Sequence, residues 1–107
     1  MVIVRNIREF TVAISKRLES SNWSFVSSYS RGKGMSFLLQ TSLQGYSVEI
    51  NIIPDKESED FLSQIILDNR IYKVLHYKQN SDIEKYVDSL QDLLEKIRDL
   101  DIEIKFS

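Results

Sequence analysis

The chain has no cysteine, so it can form neither a disulfide framework nor a thiolate metal site, and packing alone must hold the fold. That suits a reducing compartment, and the cytoplasm is the expected location. Proline occurs once and glycine three times, which leaves little room for a flexible linker or a disordered stretch. No apolar run approaches the roughly 20 residues that a membrane span needs. The opening MVIVRNIREF carries Arg5, Arg8 and Glu9, which interrupt the apolar stretch of a secretory signal. An excess of one charge sign is also missing. Fourteen Lys and Arg stand against sixteen Asp and Glu, and a net charge of −2 gives no overall field toward nucleic acid or an anionic membrane. Neither is expected as a direct partner.

What is present is globular. At 107 residues, 42% hydrophobic and 28% charged, the chain can bury about two-thirds of its unfolded surface, so a single domain over 1–107 is expected. Ile83, Tyr86, Val87, Leu90, Leu93, Leu94 and Ile97 recur at i, i+3, i+4 and i+7, which predicts an amphipathic helix over 81–98. Ser81 and Glu84 form an S-x-x-E capping box at its start. Ile3, Ile7, Phe10, Ile14 and Leu18 predict a first helix. Residues 2–4 belong either to that helix or, if Asn6 and Glu9 make its capping box, to a short strand before it.

Between the helices the period changes to two. Residues 23–30 alternate Trp23, Phe25, Ser27, Tyr29 inward against Ser24, Val26, Ser28, Ser30 outward. Arg31-Gly32-Lys33-Gly34 then makes a hairpin turn whose glycines supply positive φ. A second strand covers 35–41, a turn 42–45 and a third strand 46–53, which Pro54 stops. Residues 61–67 read as a strand in preference to a short helix, and 70–78 as an edge strand guarded by lysines. Ile102, Ile104 and Phe106 alternate as a last short strand. The expected fold is α+β: a two-layer sandwich with an antiparallel meander sheet of four to six strands. Both helices cover the face of Trp23, Phe25, Phe37, Leu39, Val48 and Ile50.

Catalysis is hard to assemble from these residues. His76 is the only histidine, and no acidic residue stands at ligand spacing from it along the chain. No G-x-S-x-G, phosphate loop or H-E-x-x-H is present. Asp99, Asp101 and Glu103 alternate without a tight loop and read as a solvated edge. The expectation is no enzyme, no cofactor and no metal. The glycine turn at 31–34 invites an anion-binding reading. Residues 31–37, taken with 2–7, also resemble in outline the RNP1 and RNP2 strands of the RNA-recognition motif. That family stacks bases on rings inside those strands, and the matching positions here hold Ile3, Lys33 and Met35. A third strand also follows where that family places a helix, so the resemblance implies no RNA site here.

Two surfaces stand out instead. Asp88, Asp92, Glu95 and Asp99, with Glu84 beside them, fall together opposite the apolar stripe of the last helix. Asp88 with Asp92 and Glu95 with Asp99 are like-charge i, i+4 pairs, each unfavourable by about 0.2–0.5 kcal/mol, and within the helix only Lys96 offsets them. The outward sheet positions around Val26 and Leu38 are small and almost uncharged. The pattern predicts a small acidic protein that binds and inhibits one protein partner, of the immunity or anti-defence type. Asp88, Asp92, Glu95 and Asp99 would meet a basic site such as that of a nuclease or nucleic-acid-binding effector, with Val26 and Leu38 as further contacts. The second reading is a homodimeric secretion-type chaperone or adaptor that holds a partner segment on its sheet.

Overall fold

A computed structural model describes all residues except Lys33 and Ser107, and all of their side chains except those of Ser27 and Arg31. Five strands follow one another: β1 (Phe25–Arg31), β2 (Gly34–Leu39), β3 (Val48–Pro54), β4 (Phe61–Leu67) and β5 (Arg70–Tyr77). Each pairs antiparallel with the next, so the sheet is an open meander in the order β1-β2-β3-β4-β5. Helix α1 (Ile7–Ser20) precedes it and α2 (Ile83–Arg98) follows it. Both helices lie on one face, giving the two-layer α+β sandwich that the periodicities imply. Residues 61–67 are strand, paired along their whole length with β3.

The buried stripes of the helices meet the inner face of the sheet. Phe10, Ile14 and Leu18 of α1 and Ile83, Val87, Leu90, Leu94 and Ile97 of α2 pack with Phe37, Val48, Ile50, Ile52, Ile65 and Leu67 in one core. Phe10 sits at its aromatic centre, 5.1 Å from Phe61 and 5.3 Å from both Tyr77 and Tyr86, ring centroid to centroid. The Tyr86 hydroxyl joins the buried Ser63 hydroxyl at 2.8 Å and the Leu75 carbonyl at 2.7 Å, and burial pushes its pKa up to about 12.

Four local expectations change. Helix α1 starts after Asn6, whose side chain accepts the Glu9 N–H at 2.9 Å while the Glu9 carboxylate takes the Arg5 N–H at 3.0 Å. Residues 2–4 are then neither helix nor strand: Val2 accepts the Ile83 N–H through its carbonyl and donates its own N–H to Asp82. The N-terminal arm therefore caps the far helix. Helix α2 is capped by Asp82, which accepts the Glu84 N–H at 3.2 Å, and Ser81 stands one residue before the cap with its carbonyl held by the Tyr77 hydroxyl. The tail 101–106 forms no ladder. Ile102, Ile104 and Phe106 still pack on the core, with Phe106 edge-on to Tyr46 and Tyr72 and under the Arg70 guanidinium.

The fourth change is in β1. Phe25 pairs with Leu39 but Ser27 pairs with Leu38, so Val26 is an extra residue and the alternation flips beyond it. Tyr29 pairs with Ser36 and faces away from the helices, whereas Ser28 and Ser30 share the side of Phe37 and Met35.

Candidate functional site

On α2 the acidic side chains stand outward as helical spacing requires, and Asp88, Asp92 and Asp99 are exposed while Glu95 is half-buried. Each has a neighbour of opposite or neutral polarity. Arg17, from α1, reaches Glu84 at 3.4 Å, pairs with Asp88 and donates to Gln91 at 2.9 Å. Lys96 lies 3.1 Å from Asp92, Gln91 donates to Glu95 at 3.0 Å, and Arg98 donates to Asp99 at 3.0 Å. From spacing within one helix only Lys96 is visible; Arg17 arrives because α1 packs alongside α2. Asp88 therefore also staples the two helices. The Arg98 hydrogen bond holds the Asp99 carboxyl below the usual range, so it is ionised at neutral pH.

These pairings moderate the ridge without cancelling it. Residues 82–105 hold eight acidic and four basic side chains, so this part of the chain is more negative than the whole, whose net charge is −2. The remainder is net positive. Charge is thus segregated onto α2 and the tail that follows.

Leu38 stands on the opposite side of the sheet from the helices, so the six expected contact residues form two surfaces. The uncovered face has a central row that crosses all five strands through successive cross-strand pairs: Tyr29, Ser36, Asn51, Gln64 and Val74. Its polar groups are linked side to side. Ser36 donates to Asn51 at 2.8 Å, Asn51 to Gln64 at 2.9 Å, and the Tyr29 hydroxyl to Glu49 at 2.7 Å. Leu38, Ile66 and Ile71 lie on one side of this row and Ile53 and Leu62 on the other. Val26 is exposed at the β1 rim. The small, serine-rich character expected of this face gives way to an apolar one, because β4 and β5 add Leu62, Ile66, Ile71 and Val74 and the β1 bulge exchanges Ser28 and Ser30 for Tyr29.

Linear spacing also misses a cluster at His76. Pairing of Leu62 with His76 brings the loop between β3 and β4 alongside, so that Asp55, Asp60 and His76 each place a ligand-type atom within 4.8 Å of the others. Counting the hairpin register back from the Asp68-Asn69 turn is the signal that finds it. All four carboxylate oxygens are already engaged. Asp55 accepts from the Glu57 N–H and the Ser58 hydroxyl, and Asp60 accepts from the Gln79 N–H at 2.7 Å and meets His76 Nε2 at 2.7 Å. The cluster is a strap fastening the loop to the end of β5. The Gln79 N–H chiefly, and His76 after it, hold the Asp60 carboxyl below its usual range; the Glu57 N–H does so for Asp55. A lowered carboxyl contributes stability above its unfolded value and loses it as pH falls through the folded one, so the strap weakens below about pH 4. Asp60→Asn is therefore expected to lower the melting temperature at neutral pH, by an amount that shrinks as pH falls from about 4 toward 2. An equal loss at neutral pH and near pH 2 in thermal circular dichroism would contradict this.

The anion-binding reading of the glycine turn rests on Lys33 and the Arg31 side chain, which lie outside the described residues. Among the described residues, no helix is long and apolar enough to cross a membrane. No protein-family model, curated protein or solved structure matches the chain, so its geometry and charge carry the functional reading.

Proposed function

We propose that this chain is a small non-enzymatic cytoplasmic protein that binds and inhibits one protein partner, of the immunity or anti-defence type. Its acidic α2 surface would lie against a basic site, such as the nucleic-acid channel of a nuclease. The observation that carries the reading is the segregation of charge: eight acidic against four basic residues over 82–105 in a chain of net charge −2. Asp92, Glu95 and Asp99 sit at the centre of that region, and the side-chain partners described for them are all on α2 itself. They can therefore be exchanged with little disturbance of the packing, whereas Asp88 also holds Arg17.

The test captures partners from a lysate of the native host on immobilised natural chain and on a variant with Asp92, Glu95 and Asp99 all changed to lysine. Reversing three carboxylates that meet cations is expected to weaken binding by about 100-fold or more. The protein sought is one retained by the natural chain and lost from the variant. Capture of the same proteins in equal amounts by both would refute the reading.

A further inference from the structure

The geometry points to the uncovered sheet face as the seat of a second copy of this chain, two sheets packing face to face to give a helix-sheet-sheet-helix dimer. This goes beyond the partner-binding proposal and involves the opposite side of the molecule. Three observations carry it.

The first is the balance of the face. Its apolar side chains are unusually open for a monomer: Tyr29 is 45% exposed, Ile71 53% and Val74 46%, with Leu38, Ile53 and Leu62 less exposed between them. Its polar row is largely bonded in-plane, Ser36 to Asn51 and Asn51 to the Gln64 side-chain oxygen, and Ser36 and Asn51 are already buried without any cover. Covering such a surface gains apolar burial, and the Gln64 side-chain N–H groups are the donors of that row that must find an acceptor across the interface.

The second is shape and area. Strands of six to eight residues, five of them about 4.8 Å apart with about 3.4 Å per residue, make a face on the order of 24 by 24 Å, roughly 600 Å². A helix about 10 Å wide would cover less than half of it. A second sheet of the same size covers it fully, burying about 1,200 Å² in total, the lower end of specific interfaces. The dimer is thus expected at micromolar and higher concentration.

The third is charge. A face that met a strongly charged partner would carry the opposite sign, but among the described side chains the charged groups here are Glu49, which accepts from Tyr29, and His76, which is tied to Asp60 at a corner. Described side chains with no excess of one sign are self-complementary. A twofold axis along the central row sets the Leu38 and Ile66 row of one copy on the Ile53 and Leu62 row of the other and keeps the two Glu49 side chains apart. The α2 ridges then point outward on opposite sides of the dimer.

Sedimentation equilibrium of the full chain, from low micromolar to near-millimolar concentration, tests this. The natural chain is expected to pass from monomer to dimer. Two variants place ammonium groups in the interface from opposite edges of the sheet: Ile71→Lys with Val74→Lys on β5, and Tyr29→Lys on β1. All three positions are exposed in the monomer, so folding is expected to persist, checked by circular dichroism. Each variant should weaken the dimer by about tenfold or more, since a charge would be desolvated there. A natural chain that stays monomeric throughout overturns the proposal. So does a dimer unchanged in either folded variant, which would place the contact at a strand edge or a helix. Loss of partner binding by the α2 variant with the dimer intact would leave the two proposals separately judged.

Discussion

Replacing Phe10 by alanine is expected to lower the unfolding free energy by about 3–5 kcal/mol, the range for truncating a buried aromatic. Phe10 is fully buried and is the one residue of α1 whose ring meets β4, β5 and α2 together, through Phe61, Tyr77 and Tyr86. The hole cannot close easily. Tyr86 is fixed by Ser63 and Leu75, and the Tyr77 hydroxyl is fixed on the Ser81 carbonyl, so neither ring is free to swing inward. A domain of this size has about 5–15 kcal/mol in all, so the variant stands near the edge of folding. Urea titration followed by tryptophan fluorescence measures it, with Phe10→Leu expected to recover much of the loss. A Phe10→Ala loss below about 1 kcal/mol would mean that α1 does not pack as described.

The two glycines of the first hairpin are expected to behave very differently. Gly32 has φ +60° and open space where a side-chain carbon would stand, so Gly32→Ala carries only the left-handed backbone cost of about 1–2 kcal/mol. Gly34 is different. A Cβ there would stand 1.8 Å from the Ile52 carbonyl oxygen and 2.9 Å from its carbon, both backbone atoms of the neighbouring strand. Gly34→Ala must push β2 off β3, and a loss of about 3 kcal/mol or more is expected, at the upper end for overpacking. Equal melting temperatures for the two alanine variants would refute the close approach. The turn residues 31–34 suggest glycine for positive φ at both positions, and only Gly32 uses it that way; strand proximity at Gly34 is a tertiary fact that composition does not carry.

The same division runs through the rest of the molecule. Periodicity of 3.6 and of 2 is enough for both helices, for β1, β2, β3 and β5 and for the buried stripe from Ile83 to Ile97, because apolar spacing is what burial selects, whereas over 61–67 it fits a short helix as well as the strand that pairing with β3 makes. It fails wherever one residue breaks the period or one element borrows from another. Val26 bulges and turns Tyr29 outward, so the parity of β1 cannot be continued from Trp23. Asp82 caps α2 in place of Ser81, at a corner where it also takes the Val2 N–H and Tyr77 holds the Ser81 carbonyl. Ile102, Ile104 and Phe106 alternate like a strand but use the alternation only to pack, with no ladder to join.

The surfaces are legible to different degrees. Helical geometry alone puts Asp88, Asp92, Glu95 and Asp99 together, since it needs no partner element, but Arg17 is invisible to it because it lies on another helix. Simple alternation assigns Leu38 to the open face. It does not assign Ile66, Ile71 and Val74, because their side of the sheet depends on which strands pair and on the bulge between Ile65 and Ile66. Asp55 and Asp60 reach His76 only through the register of β4 with β5.

The acidic α2 surface is tested most directly by the salt dependence of its affinity for whichever protein the natural chain captures. For the natural chain, the dissociation constant is expected to rise steeply with salt, which shortens the screening length to about 8–10 Å near physiological ionic strength and weakens the attraction between the two surfaces. For the chain with Asp92, Glu95 and Asp99 changed to lysine it should be weak at all salt concentrations and nearly flat. Equal affinities for the two chains, insensitive to salt, would contradict the proposal.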